Sequence, residues 1–159
     1  KDFIIKAIMS GLLIGLCADI NNRIGGLCGA MLFSIGLLTI CMCKLPLFTG
    51  RVGGSNNIKK LLLMLFLNVL GVLIIKLLFL FNNMFTLGIG CGMLMQVAVT
   101  AYKKNIPILT ALCFMAFILA GYKHCIANIY NSLDIVNFVL ILLGNIVGAK
   151  ICYYGGVKS

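Results

Sequence analysis

From residue 3 to residue 155 the chain is a succession of apolar stretches separated by only a few polar residues. A helix that crosses the hydrocarbon core of a bilayer needs about 20 predominantly apolar residues. Six stretches meet that requirement, at about 3–20, 26–48, 57–81, 84–102, 106–130 and 134–155. Mean hydropathy is +1.16. The only acids are Asp2, Asp19 and Asp134, with no glutamate and no tryptophan among 159 residues. So few charges cannot clothe a water-soluble domain of this size. The expectation is an all-α transmembrane protein forming one domain over 1–159, with linkers too short to hold a soluble module. The first stretch is not read as a signal peptide, because apolar stretches continue to the C-terminal end. The chain opens on Lys1 rather than methionine, so it is expected to start slightly inside its gene product.

A formal net charge of +10 would point to nucleic acid in a soluble chain. Here the basic residues sit mainly in short linkers, which makes them markers of topology, and no nucleic-acid partner is expected. With the N-terminus inside, Lys1, Lys6, Arg51, Lys59, Lys60, Lys103, Lys104 and Lys158 gather on one side, leaving chiefly Arg23 and Lys123 on the other. That asymmetry predicts a multi-pass protein with both termini cytoplasmic; a prokaryotic-type cytoplasmic membrane is the expected location. A positive field also suits an anionic permeant.

The sixth stretch repeats a pattern of the third: Asn68-Val69-Leu70-Gly71 against Asn145-Ile146-Val147-Gly148. The second stretch is interrupted near Pro46-Leu47-Phe48-Thr49-Gly50, and the fifth near Gly121-Tyr122-Lys123-His124-Cys125. Two halves of three spans, about 1–81 and 82–159, must run in opposite directions because three is odd. Inverted repeats with a broken helix at the same place in each half point to a permeation site near the midplane. Gly11/Gly15, Gly25/Gly29, Gly88/Gly92 and Gly144/Gly148 form small-xxx-small pairs that let helix backbones approach.

His124 is the only histidine, and it falls in the second interruption. An ionisable ring inside an apolar segment reads by default as a functional site; its bland alternative is a packing histidine bonded to a backbone carbonyl. For Thr49 the corresponding alternative is a hydroxyl bonded back to its own helix, and for Lys76 and Lys150 it is snorkelling toward an interface. The eight cysteines lie almost entirely in apolar runs, where free thiols act as small hydrophobes. Cys41-Met42-Cys43 is too tight and too apolar for a metal site. Without a paired-carboxylate, CxxC or nucleophile–base set, no metal, no cofactor and no enzyme activity are expected.

Taken in order, these motifs resemble the formate–nitrite transporter family. Leu47-Phe48-Thr49-Gly50 resembles that family's loop interrupting the second span. Gly121 to Asn128 resembles the loop interrupting the fifth, with histidine and asparagine four apart. Gly144 to Gly148 and Asn68 to Gly71 resemble its sixth- and third-span motifs. The resemblance covers nearly the whole chain. It implies an aquaporin-like, six-span inverted repeat (3+3) with broken second and fifth helices, assembled as a homopentamer with one pore per protomer. It also implies passage of small monovalent anions of weak acids, such as formate, nitrite or hydrosulfide. Thr49 and His124 would then face each other between two constrictions, with Leu47 and Phe48 lining one of them and Asn128 close to the histidine. This chain departs from the family where Lys123 replaces an acid, and where Leu87 and Gly92 stand near the places of a basic residue and an asparagine in the fourth span. Lys123 is the candidate substitute for the missing positive charge.

An unpaired anion in hydrocarbon is very costly. Broken helices lower that cost by aiming free N–H groups and positive dipole ends at the ion. A histidine adds a donor and, if it gives up a proton, lets a neutral acid cross the constriction. A membrane channel or transporter for such anions, with or without a coupled proton, is therefore the expected function. The alternatives are a non-conducting structural or regulatory homologue and a pore for water or ammonia.

Overall fold

Asparagine, aspartate, proline and glycine set the ends of the helices. Asn57 accepts from the Lys60 amide, Asn83 and Thr86 form a reciprocal capping box, and Asp134 accepts from the amides of Val136 and Asn137. Each supplies an acceptor to amides that a first helical turn leaves free. Pro107 occupies the first turn of its helix, where its missing N–H costs nothing.

The computed structural model describes residues 1–132 and 134–158. In chain order the helices are α1 (Asp2–Ile24), α2 (Gly26–Met42), α3 (Phe48–Arg51, followed by a 3-10 turn, Val52–Gly54), α4 (Ile58–Leu80), α5 (Met84–Lys103), α6 (Pro107–Leu119), α7 (Cys125–Asn131) and α8 (Ile135–Tyr154). Among the described residues there is no strand. Helices α1, α4, α5 and α8 are each long and apolar enough to cross a membrane, while α2 and α6 are shorter apolar helices. The chain is therefore an all-helical protein with the composition and helix lengths of a membrane protein.

The first helix runs about a turn past its expected end, through Asn21, Asn22 and Arg23. Arg23 Nε donates to Asp19 Oδ2 at 2.6 Å one turn earlier, which ties the last turn together. Gly25, at φ 72°, then supplies the backbone conformation that stops it. The second stretch also breaks slightly earlier than the sequence suggests. Helix α2 ends at Met42 and α3 begins at Phe48, so Thr49 and Gly50 lie inside α3 rather than in the break.

Helices α1 and α5 are the inner members of the bundle, and α4 and α8 the outer ones. The α1–α4 and α5–α8 crossings are built alike, on small residues. A Cβ on Gly11 would strike the Asn68 carbonyl, and one on Gly71 the Ile8 carbonyl. In the other pair Gly92 lies on the Asn145 carbonyl and Gly148 on that of Ile89. Backbones this close gain dispersion contacts that larger side chains would prevent. The outer faces carry exposed Phe66, Leu73 and Leu77 on α4, and Val136, Leu143 and Ile146 on α8, as apolar solvent requires. Gly155 and Gly156 lie against Met9 and Lys6, so both ends of the chain meet at one end of the bundle.

Candidate functional site

Two interruptions, 43–47 and 120–124, separate α2 from α3 and α6 from α7. Both helices end the same way. The Leu45 amide reaches back to the Ile40 carbonyl and the Tyr122 amide to that of Phe117, at 2.9 and 3.0 Å. Just before them Lys44 and Gly121 adopt left-handed conformations, at φ 52° and 74°. This is the Schellman-type stop, natural for glycine and strained for lysine. The chain then extends through Leu47 and His124, which hold the N-cap positions of α3 and α7.

One asparagine braces each interruption. Asn68 Oδ1 accepts from the Phe48 amide at 2.9 Å, and its Nδ2 donates to the carbonyls of Pro46 and Ala7. Asn145 Oδ1 accepts from the Cys125 amide at 2.9 Å, and its Nδ2 donates to the carbonyls of Lys123 and Gly88. In both cases the asparagine lies 20 residues beyond the amide and 22 beyond the loop carbonyl. Away from water a broken helix exposes N–H and C=O groups that nothing else satisfies, and a side-chain amide supplies both polarities at once. The sequence assigned Asn68, Gly71, Asn145 and Gly148 to helix packing; the glycines do pack, and the asparagines additionally hold the breaks open.

His124 is half-buried. Its Nδ1 accepts from the Ala127 amide at 3.4 Å, and its ring lies 6.2 Å from that of Phe117, tilted by 40°. An imidazole that accepts at Nδ1 carries its proton on Nε2 when neutral, leaving that N–H for another acceptor. Asn128 follows one turn later, with its amide donating to the His124 carbonyl at 2.9 Å. Lys123 is held through its backbone: its amide donates to the Leu87 carbonyl at 3.2 Å and its carbonyl accepts from Asn145. His124, Asn128 and Lys123 thus form one group.

Leu47, Phe48 and Thr49 form another. Thr49 is exposed on α3 and lines a cleft of about 320 Å³ with Leu47, Ile40, Lys44 and Arg51. Leu47 also borders a second cleft of about 200 Å³ against Gly11, Ile14 and Asn68. Among the described residues no hydrogen bond joins Thr49 to His124. The residue that holds in the first break the N-cap place of His124 is Leu47; Thr49 stands two positions on.

A third group was not singled out from the sequence. Asp19 Oδ2 accepts from the Tyr122 hydroxyl at 2.7 Å as well as from Arg23. Arg23 Nη2 continues to Asn82 Oδ1 at 2.9 Å. The Tyr122 ring stacks on Phe79 at 5.6 Å and fills the space over Gly90, with the Arg23 guanidinium 5.4 Å from its centroid. A charge within an apolar span costs about 3 kcal/mol on insertion scales, so it persists where it is paired. The available signal was Asp19 itself, an acid inside an apolar stretch one helical turn from an arginine.

Comparison of the chain with family models, with curated proteins and with solved structures finds no match.

Proposed function

We propose that this chain is the protomer of a membrane channel or transporter for small monovalent anions of weak acids, of the formate–nitrite transporter type. The observation that carries the reading is the pair of asparagine-braced breaks with identical hydrogen-bond spacing. In this reading α2 with α3 and α6 with α7 are two broken spans that join α1, α4, α5 and α8 to make six. The halves are then inverted repeats in an aquaporin-like arrangement, assembled as a homopentamer. Both termini are cytoplasmic, with Arg51, Lys59, Lys60, Lys103 and Lys104 on their side. On the opposite side stand chiefly Arg23, which is paired with Asp19, and Lys123, so the count of lysines and arginines keeps its bias.

The breaks do the electrostatic work. Amides and dipole ends freed where the helices stop stabilise charge without a full countercharge, so the anion is attracted and still released. His124 presents Nε2–H as a hydrogen-bond donor to the anion; a coupled proton passes to the anion only from the imidazolium, which is left as a neutral ring, and the neutral acid then crosses the apolar constriction. Asn128 and the Lys123 side chain flank it in the chain, and Leu47, Phe48 and Thr49 stand at the other break.

A second reading is a non-conducting structural or regulatory homologue. It is favoured by α5, where Leu87 is buried and apolar and Gly92 is pressed against the Asn145 backbone, so neither place offers a polar side chain. Uptake of labelled formate, nitrite and hydrosulfide into proteoliposomes decides between them. The expected outcome is saturable uptake of at least one anion, abolished or strongly altered in pH dependence by His124→Phe. Uptake equal to that of protein-free vesicles would sink the transport reading. Osmotic swelling without anion uptake would instead identify a pore for neutral solutes.

A further inference from the structure

The second interruption is held from α5, α8 and α1, and only the last lies outside its own half of the chain; on α5 the Leu87 carbonyl accepts from the Lys123 amide. Asn145 on α8 grips the Lys123 carbonyl and the Cys125 amide. Asp19 on α1 grips the Tyr122 hydroxyl, 103 residues away in sequence. The two grips differ in kind. The asparagine satisfies backbone groups that would otherwise be orphaned, so it is required wherever the helix breaks. The Asp19–Tyr122 bond satisfies nothing the break creates, because a phenylalanine would fill the same space over Gly90 and stack equally on Phe79.

From this difference we infer that Asp19, with Arg23 and Asn82, is a latch that sets the position of the 120–124 segment, and hence of His124, relative to α1. The inference rests on the reading of that segment as part of a transport path. Asp19 Oδ2 accepts from Tyr122 and from Arg23, and Arg23 reaches Asn82 in the turn between α4 and α5. One carboxylate oxygen thereby connects α1, the α4–α5 turn and the broken segment. Charge-assisted bonds of this kind are short and directional, and they position groups more than they stabilise a fold. The first interruption has Leu45 where the second has Tyr122, each donating its amide back to the preceding helix. Leu45 carries no polar side-chain atom, so the latch belongs to the second break alone. Tyr122, Asp19 and Arg23 are accordingly positioning residues.

A native thiol reports on this segment. Cys125 follows His124 directly and is buried, and Cys152 is buried on α8. The test is the rate at which a charged, water-borne methanethiosulfonate reagent modifies Cys125 in the full chain in proteoliposomes, read by peptide mass mapping, with Cys152 as internal control. Tyr122→Phe is expected to raise the Cys125 rate about tenfold, the scale set by losing a hydrogen bond to a charged acceptor, and Asp19→Asn, which leaves only a neutral acceptor, to raise it less, while Cys152 stays unchanged. An unaltered Cys125 rate in both variants overturns the latch. So does a parallel rise at Cys152, which marks general loosening. Should Asp19→Asn not yield folded protein, Tyr122→Phe, which keeps the ring on Phe79, decides alone. A tenfold rise in a protein that carries no anion leaves the latch standing and removes the transport reading.

Discussion

Asn68 and Asn145 are each one side chain satisfying three backbone groups that belong to other segments. Replacing either with leucine keeps the branching at Cγ and removes all three bonds in an environment where water does not easily step in. An orphaned buried polar group costs about 1–3 kcal/mol. Asn145→Leu is therefore expected to destabilise the protein by at least about 3 kcal/mol in denaturant or thermal unfolding in detergent. Asn68→Leu is expected to match it closely, because its bond set is the same. Unequal losses would show that the two braces are not equivalent. His124 differs in this respect. Its ring makes a single long bond to the Ala127 amide, so His124→Phe is expected to change flux far more than stability. Lys44 and Gly121 make the same contrast in backbone terms. Both hold left-handed conformations at helix stops, and Lys44→Gly is expected to stabilise the protein by about 1 kcal/mol in the same assay.

At the scale of elements, the chain is organised by two close crossings, α1 on α4 and α5 on α8. Gly92 has the Asn145 carbonyl where a Cβ would lie, and Gly148 has that of Ile89. Since the obstacles are backbone atoms, no rotamer change relieves them. Gly92→Val is expected to force α5 and α8 apart and to abolish recovery of folded protein in size-exclusion chromatography. Gly53 has nothing near its Cβ position, so Gly53→Ala is expected to fall within about 0.5 kcal/mol of the parent. The same contrast explains what periodicity conveyed. Glycines four apart mark a face, but only the paired helix tells whether that face meets a backbone or open space, as at Gly25 and Gly26.

For the whole molecule, both ends of the chain meet at one end of the bundle, while α4 and α8 keep exposed apolar faces outward. Lipid covers such faces as readily as protein does, so exposure alone does not set a copy number. Native mass spectrometry from mild detergent is expected to show five copies, as the proposed assembly requires. A monomer as the sole species at all protein concentrations would remove the pentamer from the reading and leave the protomer's own breaks unaffected.

Residue order by itself determined that this chain belongs in a bilayer, where its apolar stretches lie, and that two of them break at related places. Those properties are local: hydropathy over a span, a Pro46 or Gly121 in the interruption, and the Asn-x-x-Gly of Asn68–Gly71 matched by that of Asn145–Gly148. The exact limits of the breaks were not legible, because the stop at Met42 depends on how Lys44 and Leu45 fold back on α2 rather than on Pro46 alone. Only the tertiary structure decided what the asparagines hold, which residue takes the N-cap place opposite His124, and that Asp19 meets Tyr122. Each of those relations joins residues 20 to 103 positions apart. They arise because apolar surroundings leave every buried polar group to find its partner within the protein, wherever in the chain that partner lies.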